Sequence, residues 1–453
     1  MRHPVMVSRS ARLAVTLGVF LAYALGGAYA QSADPATAKL EDLAQQNRKL
    51  QEQVAAQQKL IEQLSAAVRE MRGASERQDR ELKTLREGTD TTTADRPLPG
   101  ASDAVVRVSG ETGVALFETG TRGQFPKAEF RLDDPKLFIE AKVWEDIYAV
   151  MQLDLLTRES SDEGVYIGAL YADLENLGHS WAGDHALNLR LGRFAIPFGE
   201  EYQVRNVMDN PLISHSLSDV WGFDEGVELY GGKGQLSYVL AVQNGGISRM
   251  RDYTADKSVT GRIGFDPRPW LHLSASAMRT GALSAKSDAY SEIWFGNGLF
   301  RAIGPAATTQ DFHAEIYELD AAAHWKSGRI AGAAGLVHFN DDAPAAHDAR
   351  RMRYWFVEAE QKLAGDLYGV ARVSEIRAPD GYPLAGFGNS GAYFYNPAAP
   401  LTTALRRFSL GLGYSLAPPV LLKIEYSLEQ GGTLTGVNRD YEDFFSTELG
   451  LKF

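Results

Sequence analysis

The feature of this sequence that most limits its possible folds is a series of two-faced segments joined by connections of alternating length. Sixteen segments from residue 125 onward alternate apolar and polar residues at the period of a half-buried strand. Short connections such as GGKG at 231–234 and KSGR at 326–329 alternate with long ones such as 195–223 and 281–312. This alternation is typical of the short turns and long outer loops of bacterial transmembrane barrels. The sequence therefore predicts an all-β domain over 103–453, a 16-stranded antiparallel transmembrane β-barrel.

The C-terminal segment FFSTELGLKF at 444–453 is the predicted closing strand. One face is mostly apolar, the other is mostly polar, and the segment ends on Phe453. An edge strand of a soluble β protein is the alternative, but the closing strand of a barrel must pair with the first strand and face lipid. We expect its partner at 126–132, followed by a second strand at 136–144. Residues 103–118 are left over, as a plug, an extra hairpin or a displaced first strand.

Composition excludes several classes of protein. The 58 acidic and 46 basic residues give a net charge of −12, which argues against a nucleic-acid partner. The absence of cysteine excludes disulfides and thiolate metal sites. No histidine and carboxylate spacing has the helical setting of a zinc site, so we expect no metal and no cofactor.

Residues 1–30 have the features of a secretory signal peptide. Arg2, Arg9 and Arg12 precede an apolar run from Leu13 to Leu25, and an A-x-A site follows at 28–30. No later stretch approaches the length of an apolar transmembrane helix. We therefore expect an exported protein of the bacterial outer membrane, in contact with its lipid.

Residues 37–88 carry a heptad pattern. Leu40, Leu43, Leu50, Val54 and Ile61 are among the apolar positions, which keep a 3-4 spacing along the segment. The pattern predicts an α-helical coiled coil, here in the periplasm, followed by a linker at 89–102. A single amphipathic helix is the alternative. Val or Ile at position a with Leu at d favours two strands, whereas the packing of three barrels would impose three.

Lumen-facing charges are the candidate pore-lining residues. Charged side chains in mid-strand are costly against lipid and should point into a wet interior. The alternation of the strands places six basic residues there: Lys142, Arg190, Arg262, Arg372, Arg407 and Lys423. The alternative for each of them is an ion pair with a neighbouring carboxylate.

The segment after the fifth predicted strand carries a motif. Leu191–Phe194 reads LGRF, Pro197, Phe198 and Gly199 follow, and a long loop leads to DEGVELYG at 224–231. This arrangement resembles the phosphate-selective porin O/P family. The resemblance implies a homotrimer of sixteen-stranded barrels whose loops fold inward to a constriction, with Arg193, Phe194, Pro197, Phe198 and Gly199 as the turn into it.

In phosphate-specific members of that family, arginines and lysines line the constriction. The loop here is not strongly basic, because Glu200, Glu201, Asp209 and Asp219 outnumber Arg205. This composition does not favour strict selectivity for phosphate. Following the resemblance, we expect a porin for passive diffusion of small solutes, with anions such as phosphate or carboxylates as the expected class.

Two other functions compete with this one. The coiled coil could tether the barrel to peptidoglycan or to a periplasmic partner. The run ISHSLSD at 213–219 contains Ser214, His215 and Asp219, which raises the possibility of a hydrolase. Adjacent residues rarely reach triad geometry, and the sequence has no G-x-S-x-G elbow, so we expect no enzyme activity.

Overall fold

The computed structural model describes residues 106–155, 165–179, 183, 185–218, 220, 222–245, 256–284, 311–341, 349–382, 384, 386–388 and 401–453. The predicted signal peptide (1–30), coiled coil (37–88) and linker (89–102) lie outside these residues. They stay predictions.

The described chain is almost entirely β-structure. Sixteen long strands and two two-residue strands account for it, with one short 3-10 helix at Glu201–Val204. The strands are β1 (Val106–Thr119), β2 (Glu129–Trp144), β3 (Ile147–Asp154), β4 (Tyr166–Leu174), β5 (Asn188–Ala195), β6 (Phe223–Lys233), β7 (Leu236–Gln243), β8 (Ser258–Arg268), β9 (Leu271–Arg279), β10 (Leu283–Ser284), β11 (Asp311–Trp325), β12 (Gly328–Asp341), β13 (Arg350–Ala364), β14 (Leu367–Tyr382), β15 (Thr402–Ala417), β16 (Val420–Thr433), β17 (Asn438–Arg439) and β18 (Phe444–Lys452).

The strands form one closed antiparallel sheet. Each long strand pairs with the next long strand, β9 with β11 and β16 with β18 included. The short strands β10 and β17 extend this pairing at the ends of β11 and β16. The sheet closes where β18 pairs with β1, in the register Val114↔Leu449. Closure leaves no long edge, and a barrel of sixteen strands encloses an aqueous lumen.

The predicted number of long strands is confirmed, but the prediction of the first two was wrong. The two predicted strands 126–132 and 136–144 are parts of the single strand β2, which begins at Glu129, and the leftover stretch 103–118 contains most of β1. The closing strand therefore pairs with β1 and not with 126–132. The misleading sequence is Asp133-Asp134-Pro135, which resembles a turn. It forms an irregularity within β2, where Asp134 has a φ of 44° and the pairing with β1 shifts between Glu111 and Gly113.

The two rims of the barrel differ. Short turns join β2 to β3, β6 to β7, β8 to β9, β11 to β12, β13 to β14 and β15 to β16, and we call this side the turn rim. The longer connection 175–187 also lies there. The loop rim carries the remaining long connections. In bacterial outer-membrane barrels, short turns face the periplasm and long loops face the exterior.

The outer wall of the barrel is apolar. Large apolar side chains that are substantially exposed alternate with buried inward residues, as with Leu410, Leu412 and Tyr414 on β15. Exposed Trp144, Trp270, Trp325 and Tyr414 lie near the turn rim, as expected for an interfacial girdle. No helix among the described residues is long and apolar enough to cross a membrane.

Candidate functional site

The connection between β5 and β6, residues 196–222, folds into the lumen, and we call it the inner loop. Several of its large apolar side chains are buried, although they lie outside the strands. Phe198 and Leu212 are each 1 % exposed, and Leu217 is fully buried. A surface loop of this length would leave such residues in water. Burial against the inner wall therefore holds the loop inside the barrel.

The two limbs of the inner loop pack on one side of the barrel interior. Ile196 and Phe198 on the entering limb and Leu217 and Val220 on the returning limb form one apolar cluster with the wall. The wall contributes inward residues of β9 and β11–β15: Met278, Phe312, Ala314, Ile316, Val337, Phe339, Met352, Tyr354, Ile376, Ala378, Tyr382 and Leu405. This cluster fills the lumen along that side near the loop rim.

The motif residues make the turn into the lumen. Phe194 and Pro197 are buried, and Arg193 forms an ion pair of 2.9 Å with Glu225 on β6. Gly199 has a φ of +68°, and a Cβ there would lie 2.2 Å from an Oε of Glu318. Its N–H donates to Ser276 Oγ at 3.1 Å. Only glycine combines this conformation with so close an approach, so Gly199 fixes the entry of the loop.

Lys423 on β16 clamps the tip of the inner loop. Its Nζ donates to the backbone carbonyls of Val207 (2.8 Å), Leu212 (3.1 Å) and Asn210 (3.3 Å), and lies 2.7 Å from Glu448. The side chain is 2 % exposed. An ammonium group with three carbonyl partners and one carboxylate has satisfied its donors. This predicted pore-lining lysine thus binds the loop.

Three neighbouring strands hold the same tip. Arg372 donates to the carbonyl of Ser214 at 2.7 Å, and Arg407 donates to the carbonyl of His215 at 2.9 Å. Both guanidinium groups are buried in ion pairs, with Glu358 and Glu429 respectively. Glu425 accepts from the backbone N–H groups of residues 213 and 214, at 2.7 and 2.8 Å. Carboxylates and cations on β13–β16 therefore replace the water that the loop backbone would otherwise bind.

The other three predicted pore-lining residues lie elsewhere on the inner wall. Arg262 on β8 donates to the carbonyl of Gly199 at 2.8 Å and contacts Glu200 at 3.3 Å. Arg190 on β5 lies between the rings of Tyr171 and Tyr230 and pairs with Asp173 and Glu228. Lys142 is exposed near the turn rim, 6.0 Å from the ring of Tyr148. The structure thus brings Arg372, Arg407 and Lys423 together under the loop tip, whereas Arg262, Arg190 and Lys142 lie on β8, β5 and β2.

The open part of the lumen follows β2–β6. Inward residues there keep partial exposure, among them Phe138, Glu140, Tyr148 and Gln152, whereas the inward face of β11–β15 near the loop rim is covered. The inner loop presents Tyr202, Asn206 and Asp209 toward it, all at least partly exposed, and Asn206 bonds to Lys136 on β2. Charged side chains of both signs and tyrosine rings line this passage, so the inner loop narrows it from one side.

A hydrogen bond joins the inner loop to β2, three strands beyond β16 around the barrel. Asn206 Oδ1 accepts from Lys136 Nζ on β2 at 3.0 Å.

On the same loop, burial raises the pKa of Tyr202 above its ordinary value, against the opposing effect of Arg262. Its phenol therefore stays neutral in the passage at physiological pH.

A void of about 220 Å³ lies behind the inner loop, against β9 and β11–β14. Its lining mixes carboxylates such as Glu201 and Asp320 with Arg329 and Arg372. Within the described part of the chain, no group of three or more His, Cys, Asp and Glu side chains is arranged to hold a metal ion.

The serines of the 213–219 run take part in holding the loop. Ser214 Oγ donates to Glu425, and Ser216 Oγ donates to Glu201, each at 2.5 Å. His215 Nε2 lies 3.4 Å from the carbonyl of Arg205. Each hydroxyl thus has a carboxylate partner, an arrangement that fastens a loop.

Sequence reasoning missed most of the residues that position the loop. Glu425, Glu448, Glu429 and Gly411 are not among the residues that the sequence predicts for the site. A Cβ at Gly411 would lie 2.4 Å from Cδ2 of Leu212, so this inward glycine makes room for the loop tip. The sequence signal that could have identified these residues is the high number of glycines and charged residues at inward positions of β14–β18.

Comparisons with known proteins bear on the fold. No protein-family model matches the sequence, and no curated protein matches it. Among solved structures, the outer membrane channel DcaP of Acinetobacter baumannii superposes with a TM-score of 0.52 at 10% identity, covering 79% of this chain and 100% of that chain. The trimer form of OmpT, an outer membrane protein of Vibrio cholerae, superposes with a TM-score of 0.51 at 11% identity, covering 77% and 99%. At such identities the similarity establishes the barrel fold alone, and no family model supports the narrower resemblance to the O/P porins.

Proposed function

We propose that this protein is an outer-membrane porin, through which small solutes diffuse passively across a water-filled barrel that the inner loop narrows. The observation that carries the proposal is the inner loop itself, folded across the lumen of a closed barrel with an apolar outer wall. A barrel with exposed apolar side chains around its wall is stable in lipid and not in water. The structural similarity to an outer membrane channel supports the same function.

The proposed solutes are small anions such as phosphate or carboxylates. Arg190 on β5 and Lys142 on β2 are the proposed binding groups along the passage, since oxyanions can bind to fork-shaped guanidinium donors and to ammonium groups. Their selectivity should be weak, because Arg190 has carboxylate partners. Binding must remain weak for a solute to leave the passage.

A salt gradient across a planar bilayer tests the sign of the selectivity. We expect stepwise ohmic currents and a small reversal potential of anion sign in a potassium chloride gradient. Lys142→Glu should move that potential toward cation selectivity, whereas Lys233→Glu, at an exposed lysine on the outward face of the end of β6, should leave it unchanged. A reversal potential of cation sign in the unmodified protein would contradict the anion preference, and the absence of current would contradict the porin.

Assembly into a homotrimer and a periplasmic coiled coil complete the proposal. The trimer form of a protein with the same fold and the heptads at 37–88 support threefold assembly. A role as a tether to peptidoglycan or a periplasmic partner would be secondary to transport. Deletion of residues 37–88 tests it: we expect conductance per channel to persist, and retention by purified peptidoglycan to fall if the tether exists.

A further inference from the structure

A group of arginines points away from the lumen near the loop rim, on the side of the barrel formed by β13–β15. We call Arg351, Arg353, Arg377 and Arg406 the arginine patch. Their inward neighbours Met352, Tyr354, Ile376 and Arg407 are all at most 2 % exposed, so alternation turns the four patch side chains outward. All four are exposed.

The patch has more positive charge than its surroundings balance. Glu375 lies between Arg377 and Arg406 and pairs with both of them. Arg353 lies directly opposite Arg377 in the pairing of β13 with β14. Like charges opposed on one face of a sheet repel. Among the described residues, Arg351 and Arg353 make no ion pair, and both are exposed.

The height of the patch on the wall matches the boundary of the membrane. Gln361, which Trp325 of the turn-rim girdle contacts through a hydrogen bond of 3.0 Å, is on the same face of β13 as Arg353. Eight residues of a tilted strand rise roughly 20 Å along the membrane normal, and the apolar band of such barrels is about 25 Å tall. Arg353 therefore lies near the top of the apolar band, and Arg351, two residues further along β13, reaches the level of the headgroups.

An apolar groove leads down the outer wall from the patch. It has a volume of about 1020 Å³, and Arg353 lines its upper end together with Tyr317 and Trp355. Small outward residues, Gly261, Ala275 and Ala277, form its floor between the exposed side chains of Ile263 and Leu319. The volume is similar to that of clefts that take drug-sized ligands, about 300–1,000 Å³.

We propose that this groove and the arginine patch together bind one phosphorylated lipid of the outer leaflet, with an acyl chain in the groove and the phosphate on Arg351 and Arg353. Arginine matches phosphate with two parallel N–H donors, and the apolar groove matches a hydrocarbon chain. The positive charge of the patch favours an anionic lipid over a second copy of this chain. The outer wall of a second copy would place an apolar surface or the same arginines against the patch, and neither would neutralise its charge. The inference rests on the proposed location in the outer membrane.

The test measures lipid binding by native mass spectrometry of the full chain in detergent, with bisphosphorylated lipid A and its dephosphorylated form as probes. We expect the bisphosphorylated lipid to bind, and Arg351→Gln/Arg353→Gln to weaken it about 30-fold, since each basic side chain near an anionic surface contributes a factor of about five. Ala277→Leu should weaken both probes by filling the groove. The matched control Arg268→Gln, an exposed arginine at the turn rim, should have no effect.

Several results would overturn the inference. One is equal binding of the two lipids by the unmodified protein. Another is binding of the bisphosphorylated lipid by the double variant as tight as that by the unmodified protein. A third is displacement of the lipid by millimolar inorganic phosphate, which would indicate a site for free phosphate. Cross-linking between copies through Ala277→Cys, in a chain with no other cysteine, would place a second subunit on the groove and also overturn it. Conductance of the same preparations separates the two proposals: a conducting protein without lipid selectivity contradicts only this one.

Discussion

At the scale of single residues, the buried charges of the lumen have a structural task. Lys423, Arg372 and Arg407 were predicted from their position on inward faces, and each donates to a backbone carbonyl of the inner loop. Removing one member of a buried ion pair leaves its partner uncompensated, which typically costs about 3–5 kcal/mol. Residues predicted to tune ion flow should therefore affect stability first.

Lys423→Met tests this reading. We expect its free energy of unfolding, from urea titration in lipid vesicles, to fall by about 3–5 kcal/mol because Glu448 stays buried without its cation. The double variant Lys423→Met/Glu448→Gln should recover much of the lost free energy of unfolding. Its inner loop should still be mobile, because the ammonium group that binds the loop carbonyls is missing, and this mobility should increase the current noise. Lys142→Met, on an exposed lysine, is the control and should change stability little. An unchanged stability in Lys423→Met would show that the lysine does not hold the loop.

Gly199 offers a second test with a matched control. Gly199 and Gly234 have nearly equal positive φ values, +68° and +67°, but a Cβ meets Glu318 at 2.2 Å in the first case and nothing within 4 Å in the second. Alanine at Gly234 should cost about 1 kcal/mol from backbone strain alone, and alanine at Gly199 should cost more. Equal losses in the two unfolding titrations would mean that the wall does not restrict the loop entry.

At the scale of elements, sequence patterning predicted most strands but not the beginning of the barrel. Alternation located the C-terminal strands within a few residues, because each buries one face and exposes the other. It divided β2 at Asp133-Asp134-Pro135, because aspartates and proline are turn residues in isolation. In the barrel, the pairing of β2 with β1 continues on both sides of this irregularity. Long-range pairing decided the outcome, and no local pattern carries that information.

Barrel closure can be tested with disulfides, since the chain has no cysteine of its own. Val114 and Leu449 are direct partners between β1 and β18, whereas Leu132 is the partner of Val114 on its other side. Cysteines at 114 and 449 should form a disulfide, because paired Cα atoms in a sheet are about 4.5–5.5 Å apart. Cysteines at 132 and 449 should not, because two strand spacings amount to about 9.6 Å. Gel mobility of the oxidised, unfolded chains distinguishes them, and the reverse result would restore the pairing first predicted from sequence.

The inner loop illustrates the limit of sequence reasoning about the site. The motif through Gly199 predicted an inward turn, and the turn is present. The path of the loop afterwards depends on contacts with β13–β18, more than 150 residues away in some cases, as between Ser214 and Arg372, which are 158 residues apart. Such contacts follow from closure of the barrel. They become visible only when the wall has been assembled.

Cysteine accessibility tests the path of the loop. Gln203 and Asp209 are exposed on its free edge, and Leu212 is buried against Gly411. A bulky thiol reagent should react with Gln203→Cys and Asp209→Cys and reduce the current, because both positions border the passage. Leu212→Cys should be protected in the folded protein. Rapid reaction at 212 with slow reaction at 203 would mean that the loop packs the other way round.

At the scale of the whole molecule, the barrel combines an apolar outer wall with an interior divided into two parts. The side formed by β9–β18 is filled by the inner loop and its buried charges, and the side formed by β2–β6 remains open to water. The wall provides insertion into a membrane, and the loop provides the narrowing. The proposed transport by diffusion needs no chemical step in such an arrangement.

Single-channel conductance in planar bilayers tests this account most directly, with the unmodified protein compared to a variant in which a short glycine linker replaces residues 203–212. The account predicts ohmic currents from both proteins and a clearly larger step from the variant, because the linker removes the edge that narrows the passage. Equal steps from the two proteins, or no current from the unmodified one, would contradict it.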